Sequence, residues 1–251
     1  MIEILLPAIT LSLVLVGIHA YFGLEIIRRG IIFTDLAIGQ MAALGAALAI
    51  LWFHGEYLYG MGVGFALLGG LLVALASGRE RYLEAYIALV YALASSATVL
   101  VLSKSPHGTE ALQTLLAADI LFTGWEEVLH TAVLYGVIGL VLGLAYGRSR
   151  GMVREVIFFT TFALTVASSV SVAGVLVVFV MLVAPAFMVI KSGVRTPLIW
   201  AWAVGTLLSV LGVGISYGYD FPTGYMIVFV HALAAIITAL IFLLKERPWK
   251  S

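Results

Sequence analysis

Long apolar runs alternate with short polar breaks along almost the whole chain. A run of about 20 apolar residues matches the thickness of a bilayer. Such runs fall near 4–24, 31–53, 58–78, 84–103, 127–147, 156–172, 174–190, 198–217 and 224–244. The stretch 156–190 is the ambiguous one: it carries no charge, is long for one span and is short for two. Basic residues decide it, because loops on the cytoplasmic side collect Lys and Arg. With nine spans and the N-terminus outside, Arg28, Arg29, Arg79, Arg81, Arg148, Arg150, Arg154, Lys191, Arg195, Lys245, Arg247 and Lys250 share the inner side, and Lys104 alone is outside. Merging 156–190 would export Lys191, Arg195 and the basic C-terminus. The pattern therefore predicts an all-α polytopic bundle of about nine transmembrane helices, N-terminus outside and C-terminus cytoplasmic. The break inside 156–190 is expected around Ser168, Ser169, Ser171 and Gly174.

Within the second run the periodicity changes character. Asp35, Gly39, Ala42, Ala46 and Ala49 recur at helical spacing and share one face. That face holds one acid and otherwise small residues, which permits close helix contact. Leu36, Leu44, Leu48 and Leu51 lie opposite, as lipid contact would want. The segment 110–125 reads as an interfacial or half-inserted helix on the outer side, because it is helix-like yet carries an acid and a Thr-Gly break. The tyrosines of the outer loops, Tyr57, Tyr59, Tyr217, Tyr219 and Tyr225, suit the interfacial belt.

Composition narrows the class. The 251 residues are 63% hydrophobic and 10% charged, with a mean hydropathy of +1.16. No stretch is polar enough for a separate soluble domain, so one membrane domain over 1–251 is expected. The net charge of zero argues against a nucleic-acid partner, and the absence of cysteine excludes disulfides and thiolate metal sites. The first run lacks a basic n-region and a small-residue cleavage site and is read as a true span. No phosphate-binding Gly-Lys-Ser/Thr loop, Gly-x-Ser-x-Gly or His-Glu-x-x-His is present, which favours transport over catalysis.

The polar groups at membrane depth are the candidates for a transport path: His19, Asp35, Gln40 and His231, with Glu25 near a helix end. Carboxylate oxygens suit hard divalent ions, and zinc and manganese also accept imidazole. Each has a plainer role open to it. His19 and His231 can simply hydrogen-bond a neighbouring helix, Gln40 can join helices, and Asp35 can pair with Arg28 or Arg29. Glu126, Glu127, His107 and His130 near the outer face can attract cations or form a solvated rim. Pro185, inside the seventh span, frees a carbonyl and can kink the helix.

Four stretches together resemble the inner-membrane permeases of zinc and manganese ABC importers, nearly end to end. SVAGVLVVFVMLVAPAFMVI (171–190) is similar to that family's Val-Gly-x-Leu-Leu-Val stretch ending in Pro-Ala. ISYGYDFPTGYMIVF (215–229), with Asp220, Pro222 and Gly224, matches its Asp-x-Pro-x-Gly piece. LLAADILFTGWEE (115–127) is similar to its Leu-x-Gly-Asp-Leu-Leu segment, and RRGIIFTDLAIGQMAALG (28–45) to its basic-Gly opening. Two departures matter. Aligned on Arg29-Gly30, the chain has Gln40 in place of the family's His, Leu36 in place of its Asp, and Asp35 one position earlier, while Gly45 matches a family glycine. An amide oxygen replaces an imidazole, which favours a harder or less specific site. The inner loop 147–155 is also short, and only Arg150, Gly151 and Met152 resemble the family's coupling segment, so 78–84 is an alternative docking loop.

The resemblance implies a homodimer in the cell (inner) membrane, surrounded by lipid, with a cytoplasmic ABC ATPase and an extracytoplasmic metal-binding protein as partners. No cofactor is stably bound; a divalent metal ion, Zn or Mn, is the expected cargo. A same-fold ABC permease for a non-metal substrate and an ATPase-independent carrier or accessory protein are the alternatives.

Overall fold

The computed structural model describes residues 2–77, 81–118 and 120–245, with the side chains of 2–4 and 245 left aside. Arg79, Asp119, Arg247, Lys250 and the first part of the alternative docking loop 78–84 lie outside the described residues.

Ten α-helices follow one another: α1 (Ile2–Arg29), α2 (Phe33–Phe53), α3 (Leu58–Ala76), α4 (Leu83–Leu102), α5 (Gly108–Leu116), α6 (Trp125–Leu144), α7 (Gly151–Ala173), α8 (Val175–Ser192), α9 (Pro197–Tyr219) and α10 (Thr223–Lys245). Among the described residues nine of them, all but α5, are long and apolar enough to cross a membrane. The protein is a multi-pass membrane protein, and the nine-span reading holds.

The break in 156–190 falls at a single residue. Gly174 adopts φ +85°, ends α7 and starts α8 with no intervening loop. A side chain there would be strained by the backbone and would also run into the backbone at Leu116 and Ala117. The half-inserted helix is shorter than its sequence suggests. It stops at Leu116, an extended link follows at Ala117, and only a single 3-10 turn, Ile120–Phe122, precedes α6.

α2 is the hub, packed on α3, α4, α7 and α8, while α1 packs on α8 and α9, and α10 on α8 and α9. The face expected to meet lipid is therefore only half exposed: Leu36, Leu44, Leu48 and Leu51 are all intermediate in burial. Small residues allow this crowding. A Cβ on Gly45 would overlap the Met61 carbonyl of α3, so that backbone contact exists only because the residue is glycine. The well-exposed apolar side chains lie on the outward faces of α3, α4, α6, α9 and α10, for example Leu71, Leu93, Leu140, Leu207 and Leu243. The interior is closed by an aromatic group, Phe22 on Phe158 and Phe162, with Phe159 edge-on to Phe158.

Candidate functional site

Asp35 sits in the first turn of α2, where the helix dipole favours a carboxylate. It is 1% exposed. Neither carboxylate oxygen has a hydrogen-bond partner, and the neighbouring Thr34 hydroxyl is likewise unpartnered. The plainer alternative, a pairing with Arg28 or Arg29, is not made. Arg28 turns to Glu25 at 3.7 Å. Arg29 is held by Glu155 at 2.8 Å, by Glu25 at 3.9 Å and by the Tyr146 hydroxyl at 2.7 Å, and it stacks over the Phe158 ring. The reason is geometric: Gly30, at φ +69°, turns the chain between α1 and α2, and the arginines stay with the end of α1 while Asp35 enters the bundle.

The stripe running outward from Asp35 is blocked one turn on. The space beside Gly39 is bounded by Val175, Val166 and Val170 of α7 and α8. Beyond the valines the stripe opens again. Ala42 and Ala46 form one wall of a cavity of about 520 Å³ between α2, α3, α5 and α7, with His107 and Glu110 also lining it. Gln40 is buried on α2 between these levels.

The two histidines do not join Asp35. His19 Nδ1 donates to the Leu15 carbonyl at 2.7 Å, and its Nε2 lies 3.1 Å from Ser169 Oγ. Ser169 is also bonded to the Tyr135 hydroxyl and to the Thr165 carbonyl. His231 Nδ1 donates to Ile227 O at 3.0 Å, with Ser209 Oγ at 3.5 Å from Nε2. Both rings are buried with both nitrogens engaged, so they bond helix to helix: His19 joins α1 to α7 and α6, His231 joins α10 to α9. Among the described residues no group of three His, Asp or Glu side chains is arranged to hold a metal ion.

The motif residues far apart in the chain meet at the link after α5. Ala118 N–H donates to the Ala173 carbonyl at 3.0 Å. Gly174 closes on Leu116 and Ala117 from one side, and Gly224 lies against Ala117 and Ala118 from the other. Asp220 caps α9 at φ +56°, Pro222 precedes α10, and Ser216 Oγ bonds both the Phe221 carbonyl and Thr223 Oγ1 at 2.7 Å. The outer-loop motif is thus a packing joint that seats the short helix. Pro185 lies inside an unbroken α8, with its ring against Gly205 of α9.

Beside the end of α1, 147–155 is folded into the start of α7: Tyr146–Arg148 is a 3-10 turn, and the helix begins at Gly151, whose φ is +56°. Gly151 and Met152 line an open pocket of about 630 Å³ together with Arg29, Ser77, Arg154 and Glu155. Sequence reasoning did not single out this Arg29–Glu155 junction, to which Ser77 adds a bond at 3.3 Å. The signal available was an uninterrupted basic and acidic pair at a helix start, Arg154-Glu155, one turn after Gly151.

Nine candidate spans among the described residues, a short helix wedged by glycines and a buried unpartnered acid on the central helix define a polytopic membrane protein. Residues 150–242 match the ABC 3 transport family. A Haemophilus influenzae protein described as a probable iron transport system membrane protein is 24% identical over 95% of this chain and 90% of its own length. The fold is shared with PsaBC from Streptococcus pneumoniae, solved in complex with Fab, at a TM-score of 0.74 and 18% identity over 94% of this chain and 91% of that one. It is shared also with a chain described as a metal-chelate type ABC transporter in an inward-facing conformation, at a TM-score of 0.69 and 18% identity over 96% and 85%. The family match takes in the stretches 171–190 and 215–229 but not 28–45 or 115–127, and the likeness in fold runs along nearly the whole chain.

Proposed function

We propose that this chain is the permease subunit of an ABC importer for divalent metal ions of the zinc or manganese type. ATP is hydrolysed by a separate cytoplasmic subunit, two permease copies pair, and an extracytoplasmic binding protein delivers the ion. The observation that carries the reading is Asp35: a buried carboxylate with no partner, on the central helix of a fold shared with an ABC transporter of metal-chelate type. An unpaired buried acid is costly in a membrane and is retained where a cation or proton visits it. Gln40, five residues further along α2, supplies an amide oxygen where an imidazole would favour a softer cation. His19 and His231 act as helix ties, and their part in the path is to keep α1, α7, α9 and α10 in register.

Transport requires two states with different affinities for the ion. In the state seen here the valines at Gly39 separate Asp35 from the outer cavity. Opening that barrier means moving α7 and α8 against α2, and α7 begins at the coupling remnant Gly151-Met152. The same short remnant is the observation that favours a second reading, an ATPase-independent carrier, because no separate coupling helix precedes α7.

The test is to express the chain with the ATPase from its own genome, purify in mild detergent and reconstitute. The expected outcome is a stable complex with ATP-dependent uptake of Zn(II) or Mn(II) that is lost in Asp35→Ala. No complex with a well-folded chain would overturn the ABC reading, and uptake unchanged in Asp35→Ala would remove Asp35 from the path.

A further inference from the structure

The outer cavity has a second lobe. A space of about 390 Å³ is lined by Glu127, His130, Thr131 and Ser168, and it shares Tyr59 and Ser171 with the 520 Å³ cavity. The two are parts of one vestibule between α2, α3, α5, α6 and α7. Each lobe carries one imidazole and one carboxylate three residues apart at the start of a helix: His107 and Glu110 flanking the start of α5, and Glu127 and His130 on α6. His107 Nδ1 lies 3.8 Å from Glu110 Oε2, and both side chains are more than 80% exposed. Glu127 keeps one oxygen on Gly124 N–H at 2.7 Å, which fixes its direction. No Lys or Arg lines either lobe.

We propose that this vestibule captures a divalent transition-metal cation, with the His107–Glu110 pair as its principal ligands and the Glu127–His130 pair as a second, weaker station. The inference rests on the metal-permease reading and adds a receiving site distinct from Asp35. The donor chemistry fits: imidazole nitrogen with carboxylate oxygen suits zinc, manganese and iron, and suits calcium or magnesium poorly. Two ligands per station, with no third His, Asp or Glu arranged beside them among the described residues, leave the ion mostly hydrated. Such a site exchanges its ion readily, as a receiving site must. The surrounding charge works in the same direction. On the side opposite the basic loops, Glu56, Glu110, Glu126, Glu127 and Asp220 face only Lys104, and an acidic rim over an apolar cavity concentrates cations. The vestibule also leads to the right place. Its wall residue Ala42 lies seven residues beyond Asp35 on the same helix face, about 10 Å along the axis.

The test uses the full chain in lipid nanodiscs, with Mn(II) followed by the loss of its free electron paramagnetic resonance signal and Zn(II) by equilibrium dialysis. His107→Ala/Glu110→Gln changes only exposed side chains and should leave folding intact, as gel filtration would verify. Its apparent affinity should fall about tenfold, His130→Ala should have a smaller effect, and Asp35→Ala should keep the vestibule binding. In the assembled transporter the double variant should raise the half-saturating metal concentration and leave the maximal rate unchanged. Equal metal binding by wild type and double variant, or no binding by wild type, overturns the proposal. Metal binding that depends on His107 and Glu110 in a chain that supports no metal uptake would instead overturn the permease reading and leave the site standing.

Discussion

Asp35 and His19 are both buried polar residues at membrane depth, yet they answer to different physics. His19 has both nitrogens engaged across a helix contact, so deleting the ring leaves Ser169 and the Leu15 carbonyl short of a partner. His19→Ala should lower stability by about 1–3 kcal/mol, seen as an earlier thermal unfolding midpoint in detergent, with transport per folded molecule largely kept. Asp35 has nothing to lose in hydrogen bonds, so Asp35→Ala should unfold no earlier than wild type while abolishing transport. A midpoint that drops in Asp35→Ala would mean the carboxylate has a structural partner after all. The sequence distinguished these two poorly. It showed that both were polar residues in apolar runs, but partners contributed by residues more than a hundred positions away, such as Ser169 for His19 and Glu155 for Arg29, leave no local periodic trace.

Helices and their breaks were far more legible, because apolar length and basic loops are local and additive. The nine spans and the split of 156–190 followed from that. What the pattern missed was where helices end inside the protein: α5 stops at Leu116 because the next two residues are gripped between Gly174 and Gly224, a tertiary cause. It also placed the leucines of α2 in lipid, since an amphipathic pattern cannot tell lipid from a neighbouring α4. Two predictions belong here. Gly45→Val should separate α2 from α3 at the Met61 carbonyl and sharply reduce the folded yield, whereas Gly136→Val, with open space around it, should be tolerated; equal yields would show that the α2–α3 contact is not tight. Arg29→Lys keeps the charge but cannot reach Glu155 and Tyr146 with the same planar fork. It should leave ATPase binding intact and reduce metal uptake per ATP hydrolysed, because the start of α7 then no longer holds the turn that precedes Asp35. Unchanged uptake per ATP would confine the junction to a static role.

At the scale of the whole molecule the two ends of the bundle differ in charge. The Arg29–Glu155 junction and Gly151-Met152 lie at the end of the bundle where most Lys and Arg fall among acids such as Glu25, Glu84 and Glu155, and the vestibule lies at the other end, where Glu56, Glu110, Glu126, Glu127 and Asp220 meet one lysine, Lys104. A metal importer needs this polarity: an acidic mouth raises the local cation concentration outside, and the inner face is where an ATPase must push. If the molecule were inserted the other way, the vestibule would open to the cytoplasm and the coupling remnant would lie outside, beyond the reach of any ATP-driven partner. The orientation is therefore a test of the function as well as of the fold. A protease-sensitive tag at the C-terminus should resist protease added to intact cells, and a tag inserted in the turn at Gly55 should be cut. Cleavage of the C-terminal tag alone would invert the molecule, turn the His107–Glu110 rim inward and remove both the importer reading and the capture site together.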